Sequence, residues 1–429
     1  MTAGRPASPA AALSSAAAPA GATLAPQPWM TALETRLLLQ ALAQDGGQAR
    51  FVGGCVRDAL LRRPVKDVDL ATPLLPEAVV ARCAAAGFKV VPTGLAHGTV
   101  TVVVNHRPFE ITTLRRDVAT DGRHATVVFT DDWRAGAARR DLTMNALFCD
   151  GAGRVTDFFD GVADLRAGRV RFVGRARQRI EEDYLRLLRF FRFQAHYGRG
   201  EPDPEGLAAA VELAPRLTRI SAERKRDELL KLLAAPDPLP VLGVMQRQGV
   251  LDQVLAPERD LAVRDLGPLA ALLRAAPSAD PLLRLAVLLP PGRGRAFRAA
   301  EELRLSGEQR QRLDLLLDPP LSPRDLAEAP ALRRALHRLG PDAVVDLARL
   351  AVAYRLLALP DLALVQAAAA AWVPRSLPVR GRDLLALGLG RGPALGALLR
   401  ELELWWLEQD FRPGAEELLA RARELAKRP

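Results

Sequence analysis

Alternating β-branched segments are confined to residues 50–172 of this 429-residue chain, whereas from about residue 175 onward the apolar residues recur at helical spacing. Pro and Gly turns such as Ala235-Pro236-Asp237-Pro238 and Asp318-Pro319-Pro320 punctuate the helical part. This change of period predicts an α/β (α+β) head with a mixed sheet, followed by all-α neck, body and tail domains. The expected divisions are a leader over 1–28, a head over 29–172, a neck over 173–235, a body over 236–375 and a tail over 376–429. The leader is rich in Ala, Pro and Ser without a sustained apolar run, and reads as a disordered segment, with a transit role as the alternative. No run is long and uncharged enough to predict a membrane span; Asp280 to Pro290 is short and carries Arg284.

Within the head, Asp67 and Asp69 follow the run Phe51-Val52-Gly53-Gly54-Cys55-Val56-Arg57-Asp58. Val68, Leu70 and Ala71 supply the apolar positions of a strand, so carboxylates at i and i+2 share one face and can hold magnesium beside a triphosphate. Taken alone, Asp-x-Asp is more often a solvated turn. Arg50 to Gly53 reads as an earlier strand ending in a glycine pair, and Asp58 to Arg62 as the first turns of a helix. Gly53 and Gly54 then offer bare N–H groups to phosphate, with Arg57 as a charge clamp.

Thr99 to Val104 reads as a strand, Asn105-His106-Arg107 as a turn, and Phe109-Glu110-Ile111 as the return strand. Glu110 is either an exposed edge position or a third carboxylate that completes the acid site, binding metal or deprotonating the attacking hydroxyl. Arg139-Arg140-Asp141 precedes an apolar helical stretch and is either a charged helix start or a site that bonds ribose and phosphate together. Asp141 and Asn145 stand one turn apart and are expected to hold local geometry. Asp183 and Arg186 fall at i and i+3 of an expected helix, one an acceptor and the other a forked donor. They are either a solvated ion pair or a reader of bases that carry an amino donor beside a ring acceptor, as cytosine and adenine do.

These segments together, Gly53 to Asp58 with Lys66 to Leu70, Arg139 to Ala146, and Glu182 to Arg189, resemble the class II tRNA nucleotidyltransferases, or CCA-adding enzymes, and the related bacterial poly(A) polymerases of the DNA polymerase beta superfamily. The resemblance is strong over residues 50–235 and weaker beyond. It implies Mg2+ on Asp67 and Asp69, with Glu110 as the third catalytic acid, and tRNA, CTP and ATP as partners. Nucleotide contacts are implied for Gly53, Gly54, Arg57, Arg140, Asp141, Asp183, Arg186, Arg189 and Arg192. The polar stretch Arg115 to His124 looks like the family's flexible loop, or else a surface loop without a role. Arg224 to Lys231 resembles the last family motif, with Glu228 in a supporting position. The glycines from Val379 to Gly396 look like the family tail, or a tight helix connection, and Trp405 and Trp406 read as core. From residue 175 onward the only histidines are His196 and His337, too few for the phosphohydrolase domain, built on histidine-aspartate pairs, of some relatives.

The net charge of +10 suits a polyanionic partner. Nearly all of the basic residues are Arg, the five lysines being Lys66, Lys89, Lys225, Lys231 and Lys427. Cys55, Cys83 and Cys149 have neither metal-ligand nor disulfide spacing, which predicts a cytoplasmic protein. The rivals are a poly(A) polymerase, an A-adding or CC-adding specialist, and a catalytically inactive RNA-binding protein. Thr93 to Thr99 occupies the place of an arginine-rich stretch in the poly(A) relatives, and here resembles the CCA enzymes.

Overall fold

The computed structural model describes residues 22–92, 94–95, 98–120, 125–255, 261–386 and 392–426. Most of the leader, Thr93, Ala96 and His97, the 121–124 part of the expected flexible loop, and the 387–391 part of the glycine-bearing tail therefore lie outside the described residues. The chain divides into two compact units, through Ser221 and from Ala222.

The first unit opens with two helices, α1 (Pro28–Thr31) and α2 (Leu33–Leu42), before β1 (Arg50–Val52) and α3 (Gly54–Leu60). Then come β2 (Asp69–Thr72), α4 (Pro76–Ala85), β3 (Lys89–Val91), β4 (Thr99–Val104) and β5 (Arg107–Thr113). After a hairpin of β6 (Arg115–Thr120) and β7 (Ala125–Phe129) stand α5 (Trp133–Ala138), a 3-10 turn at Thr143–Asn145, β8 (Phe148–Cys149) and β9 (Val155–Thr156). Four helices complete the unit: α6 (Gly161–Ala167), α7 (Ala176–Glu182), α8 (Leu185–Tyr197) and α9 (Pro204–Leu213).

Seven strands form one sheet in the order β3-β4-β5-β2-β1-β8-β9. Only β2 and β5 pair in parallel, so the sheet is mixed, as the sequence predicts. The β4–β5 hairpin turns through Asn105 and His106, both at positive φ (46° and 66°), the twist that a two-residue connection demands. Val52, Ala71, Leu114, Ala137, Ala146, Phe148 and Val173 pack as a buried cluster that joins the strands to α5 and the 3-10 turn.

Two expectations are corrected here. The helix expected at Asp58 to Arg62 begins at Gly54 and ends at Leu60. Gly53, at φ 73°, lets the chain pass from strand to helix within one residue, while Arg62 at φ 56° and Pro64 beyond it close the helix early. The stretch expected as a loop from Arg115 is instead a two-stranded ladder, with Arg115 opposite Phe129 and a register shift between Asp117 and Ala119. The β-branched return strand Ala125 to Phe129 gives it a pairing partner.

The turn that carries Thr143 is fastened by Asp164 of α6. This carboxylate is fully buried and accepts from Thr143 Oγ1 (2.8 Å), Arg169 Nε (3.0 Å) and Arg171 Nε (2.8 Å). Gly161 in the same helix packs so closely that a Cβ there would meet the Thr143 carbonyl at 2.2 Å.

The second unit is helical throughout its described residues, beginning with α10 (Ala222–Leu233), which the sequence had assigned to the neck. Glu228 is buried in α10, and Lys225 Nζ reaches Glu302 Oε1 at 2.9 Å. The buried Arg284 guanidinium donates to the carbonyls of Leu233 and Ala235, both at 2.6 Å, and so satisfies the C-terminal end of α10. Trp406 is buried against Phe411, their ring centroids 4.9 Å apart, and Trp405 packs partly buried beside it, as expected of core residues. No helix among the described residues is long and apolar enough to cross a membrane.

Asp164→Ala would leave the Thr143 hydroxyl and the arginine ends without their acceptor. Urea unfolding followed by circular dichroism should show a loss of about 2–3 kcal/mol.

Candidate active site

Strand β2 presents Asp69 at its first residue, with Val68 and Leu70 buried on either side and Asp67 exposed just before the strand. Parallel pairing sets Asp69 opposite Glu110 of β5, so the two carboxylates stand on one face of the sheet. β5 lies between β4 and β2, which rules out the edge position for Glu110. Burial first, then the charge of Glu110 and that of Asp67, raise the Asp69 pKa to about 6, against the pull of Arg140. The expected closed set of three metal-holding acids is not formed, since no group of three or more His, Cys, Asp or Glu close enough to hold an ion occurs among the described residues. Asp67 lies outside the strand and is exposed, and Glu110 acts on Asp69 across the ladder through its charge.

Arg140 stands between the acids and the next motif. Its charge acts on both Asp69 and Asp141, and burial lowers its own pKa. Its Nη1 lies 3.0 Å from where a Cβ on Gly53 would project, so this glycine gives the guanidinium its room. No side chain caps the N-terminus of α3, and the Gly53 N–H donates to the Leu147 carbonyl at 3.2 Å.

Asp141 is buried and accepts from the Leu142 N–H (2.8 Å), Asn145 Nδ2 (3.1 Å) and Arg189 Nε (2.6 Å). Burial alone would raise its pKa, but the Arg189 charge and these hydrogen bonds outweigh it and hold the carboxyl at about 2. Asn145 therefore steadies Asp141, as the one-turn spacing predicts, and its own Oδ1 accepts from Arg57 Nη1 at 2.7 Å.

Arg57, the expected phosphate clamp, is engaged with groups of the protein itself. Its Nε and Nη2 each donate to the Asp58 carboxylate at 2.9 Å, and its guanidinium lies over the Tyr197 and Phe193 rings at 4.3 and 5.1 Å. Because α3 starts early, Arg57 points back at Asn145 and α8 and serves as a brace. Tyr197 closes the loop by donating its hydroxyl to Asp58 at 2.9 Å.

The pair Asp183 and Arg186 is also rearranged. Asp183 is not helical (φ −156°, ψ 107°) but sits in the break between α7 and α8, where its carboxylate accepts the Leu185 N–H at 3.1 Å. Aspartate competes for backbone N–H groups at helix starts, which explains the break. Arg186 is the second residue of α8, and its Nη1 donates to Glu182 Oε2 (2.5 Å) and the Arg179 carbonyl (3.2 Å). Leu187, Leu188, Phe190, Phe191 and Phe193 form the buried face of α8, which leaves Arg186, Arg189 and Arg192 at three-residue spacing along another. Arg192 lies 4.6 Å from the centre of the Phe193 ring.

Arg179 and Glu182 were not singled out by sequence. Their i,i+3 spacing, and that of Glu182 and Arg186 at i,i+4, is the signal that was present.

The two pKa shifts give opposite pH behaviour. For Asp69 the folded pKa is raised, so the folded state holds the proton more tightly and stability falls as pH rises from about 4 through 6. Asp69→Asn should therefore be more stable than the parent at pH 7.5 in metal-free buffer, on the order of 1–2 kcal/mol, with the gain vanishing near pH 4. For Asp141 the folded pKa is depressed, so its contribution is present above about 4 and is lost on acidification toward 2. Thermal melts across pH should show Asp141→Asn as destabilised at neutral pH.

A family model described as the poly A polymerase head domain matches residues 49–171, and one described as a probable RNA and SrmB-binding site of polymerase A matches residues 201–262. The mitochondrial CCA tRNA nucleotidyltransferase 1 of Mus musculus is 34% identical, over 89% of this chain and 88% of its own. A CCA-adding enzyme of Geobacillus stearothermophilus is 40% identical over 50% of this chain and 52% of its own. Among solved structures, the Bacillus stearothermophilus CCA-adding enzyme in complex with CTP superposes with a TM-score of 0.71 at 26% identity, over 92% of this chain and 97% of that one.

Proposed function

The chain belongs to the class II CCA-adding enzyme and poly(A) polymerase family of nucleotidyltransferases, and on that premise we propose how its residues divide the work of 3′-end synthesis. It adds CCA to tRNA and draws on CTP and ATP. The 3′-hydroxyl of the tRNA attacks the α-phosphorus of CTP twice and of ATP once, with pyrophosphate as the leaving group. The observation that carries the site assignment is the facing of Asp69 and Glu110 across the parallel β2/β5 ladder, with Asp67 alongside.

Carboxylate oxygens are the donors that suit a hard divalent cation, and the charges of Glu110 and Asp67 both act on the half-buried Asp69. Asp67 and Asp69 would hold Mg2+, and a cation bound there activates the attacking oxygen and neutralises charge on the leaving phosphates. Glu110 sharpens the negative field at Asp69 and keeps the acidic face on the strand. Gly53 and Gly54 give phosphate access to the uncapped start of α3, and Arg140 lies beside this turn to offset phosphate charge. Asp141 fixes the segment that places the sugar. Asp183 and Arg186 read the base edge, accepting from the amino group and donating to the ring nitrogen that cytosine and adenine share. Arg189 and Arg192, farther along α8, face the triphosphate or primer end, and Arg189 does so from its bond to Asp141. Helices beyond α9 supply neck, body and tail surfaces for tRNA. The three buried free cysteines accord with a reducing compartment, for which we assign the cytoplasm, although the mouse relative is named as mitochondrial.

Asp67→Ala or Asp69→Ala should abolish incorporation while tRNA binding persists in a gel-shift assay; turnover above about one hundredth of the parent's would exclude the metal role. Asp183→Ala should lower the preference for CTP over UTP by about tenfold or more, with a smaller effect on the rate with CTP. Incubation with tRNA that lacks its 3′ end and labelled nucleotides, singly and paired, should yield a three-nucleotide terminus. A long homopolymer from ATP alone would favour the poly(A) reading.

A further inference from the structure

Arg179, on α7, is largely buried, its side chain 11% exposed, and its guanidinium is shared between two parts of the site. On one edge, Nη2 donates to the carbonyls of Ala138, the last residue of α5, and of Arg140, the latter at 3.0 Å. On the other, Nη1 donates to Glu182 Oε2 at 2.6 Å. That same carboxylate oxygen accepts from Arg186 Nη1 at 2.5 Å, and Arg186 returns a bond to the Arg179 carbonyl at 3.2 Å. One rigid planar fork thus spans the backbone of the Arg139-Arg140-Asp141 segment and the carboxylate that orients Arg186.

We propose that Arg179 is a positioning residue that couples sugar selection to base selection. The inference rests on the assignment of Asp183 and Arg186 to base reading and of the 139–141 segment to the sugar. Loss of the fork leaves two carbonyls beside α5 without their donor and frees Glu182 to turn, so the Arg140 backbone and the Arg186 side chain relax together. A shift at Arg140 is also felt at Gly53, where the guanidinium lies 3.0 Å from the place a Cβ would take. An ordinary surface ion pair between i and i+3 would have no such reach.

The test is steady-state incorporation on tRNA that lacks its terminal residues, with CTP, UTP and dCTP as competing substrates, for Arg179→Ala, Arg179→Lys and Arg186→Ala, with melting temperatures recorded for each. Lysine keeps the charge but its single ammonium cannot bridge both edges, so this variant keeps the fold if alanine does not. Both Arg179 variants should lower the CTP over UTP ratio and the CTP over dCTP ratio, each by about tenfold, the worth of one charge-assisted hydrogen bond. Arg186→Ala should lower the first ratio only, and the double variant Arg179→Ala/Arg186→Ala should lose no more of it than Arg186→Ala does. A fall in melting temperature with both ratios within twofold of the parent would make Arg179 a scaffold residue and overturn the coupling. So would loss of base selectivity alone in the Arg179 variants. An unchanged CTP over UTP ratio in Arg186→Ala would instead overturn the base-reading assignment beneath it.

Discussion

The buried carboxylate of Asp141 is the point on which the first unit's architecture converges. Three donors from three places, the Leu142 N–H, Asn145 and Arg189, hold it ionised despite burial. Through Arg189 it fixes α8; through Asn145 it reaches Arg57, then Asp58 and Tyr197, and so returns to α8 from the side of α3. A buried charge network of this kind tolerates no missing member, because each deletion strands a partner in low dielectric. That intolerance gives geometric precision: the helix after the glycine turn, the segment that carries Asp141 and the arginine-bearing helix are set relative to one another by the same set of hydrogen bonds.

Around that network the site is arranged as a balance of opposed charges. Asp67, Asp69 and Glu110 supply one sign, and Arg140, with Arg186, Arg189 and Arg192 along α8, supplies the other. Arg140 is the hinge of the balance, since its charge acts on Asp69 and Asp141 while its carbonyl receives Arg179. The Asp69 pKa is raised by burial first and by the charges of Glu110 and Asp67 next, and this is expressed as stability lost at neutral pH.

Much of the site was legible in the sequence because its signals are short-range. The strand that carries Asp69, the hairpin between Thr99 and Ile111, and the one-turn spacing of Asp141 and Asn145 follow from local periodicity and appear in the structure, whereas Asp67 falls outside that strand. Other placements were not legible. Arg57 reads as a free cation beside a glycine turn, yet its partner Asn145 is 88 residues away. Asp183 reads as mid-helix, but its carboxylate captures the Leu185 N–H and ends one helix where another begins. Helical propensity and capping compete over a single residue there, and local pattern does not decide between them.

What the sequence determined by itself was the class of the fold and the motifs by which the family is known: a mixed-sheet head before a helical remainder, and acids, glycines and arginines in ordered segments. Hydrophobic period and side-chain chemistry are properties of neighbouring residues, so they can be read without coordinates. Only the tertiary structure decided that Arg57 pairs with Asp58, that Glu110 stands across a parallel ladder from Asp69, and that Arg179 joins two motifs. Those outcomes depend on which strands become neighbours and where each guanidinium finds an acceptor, and such long-range pairings leave no periodic trace in the chain.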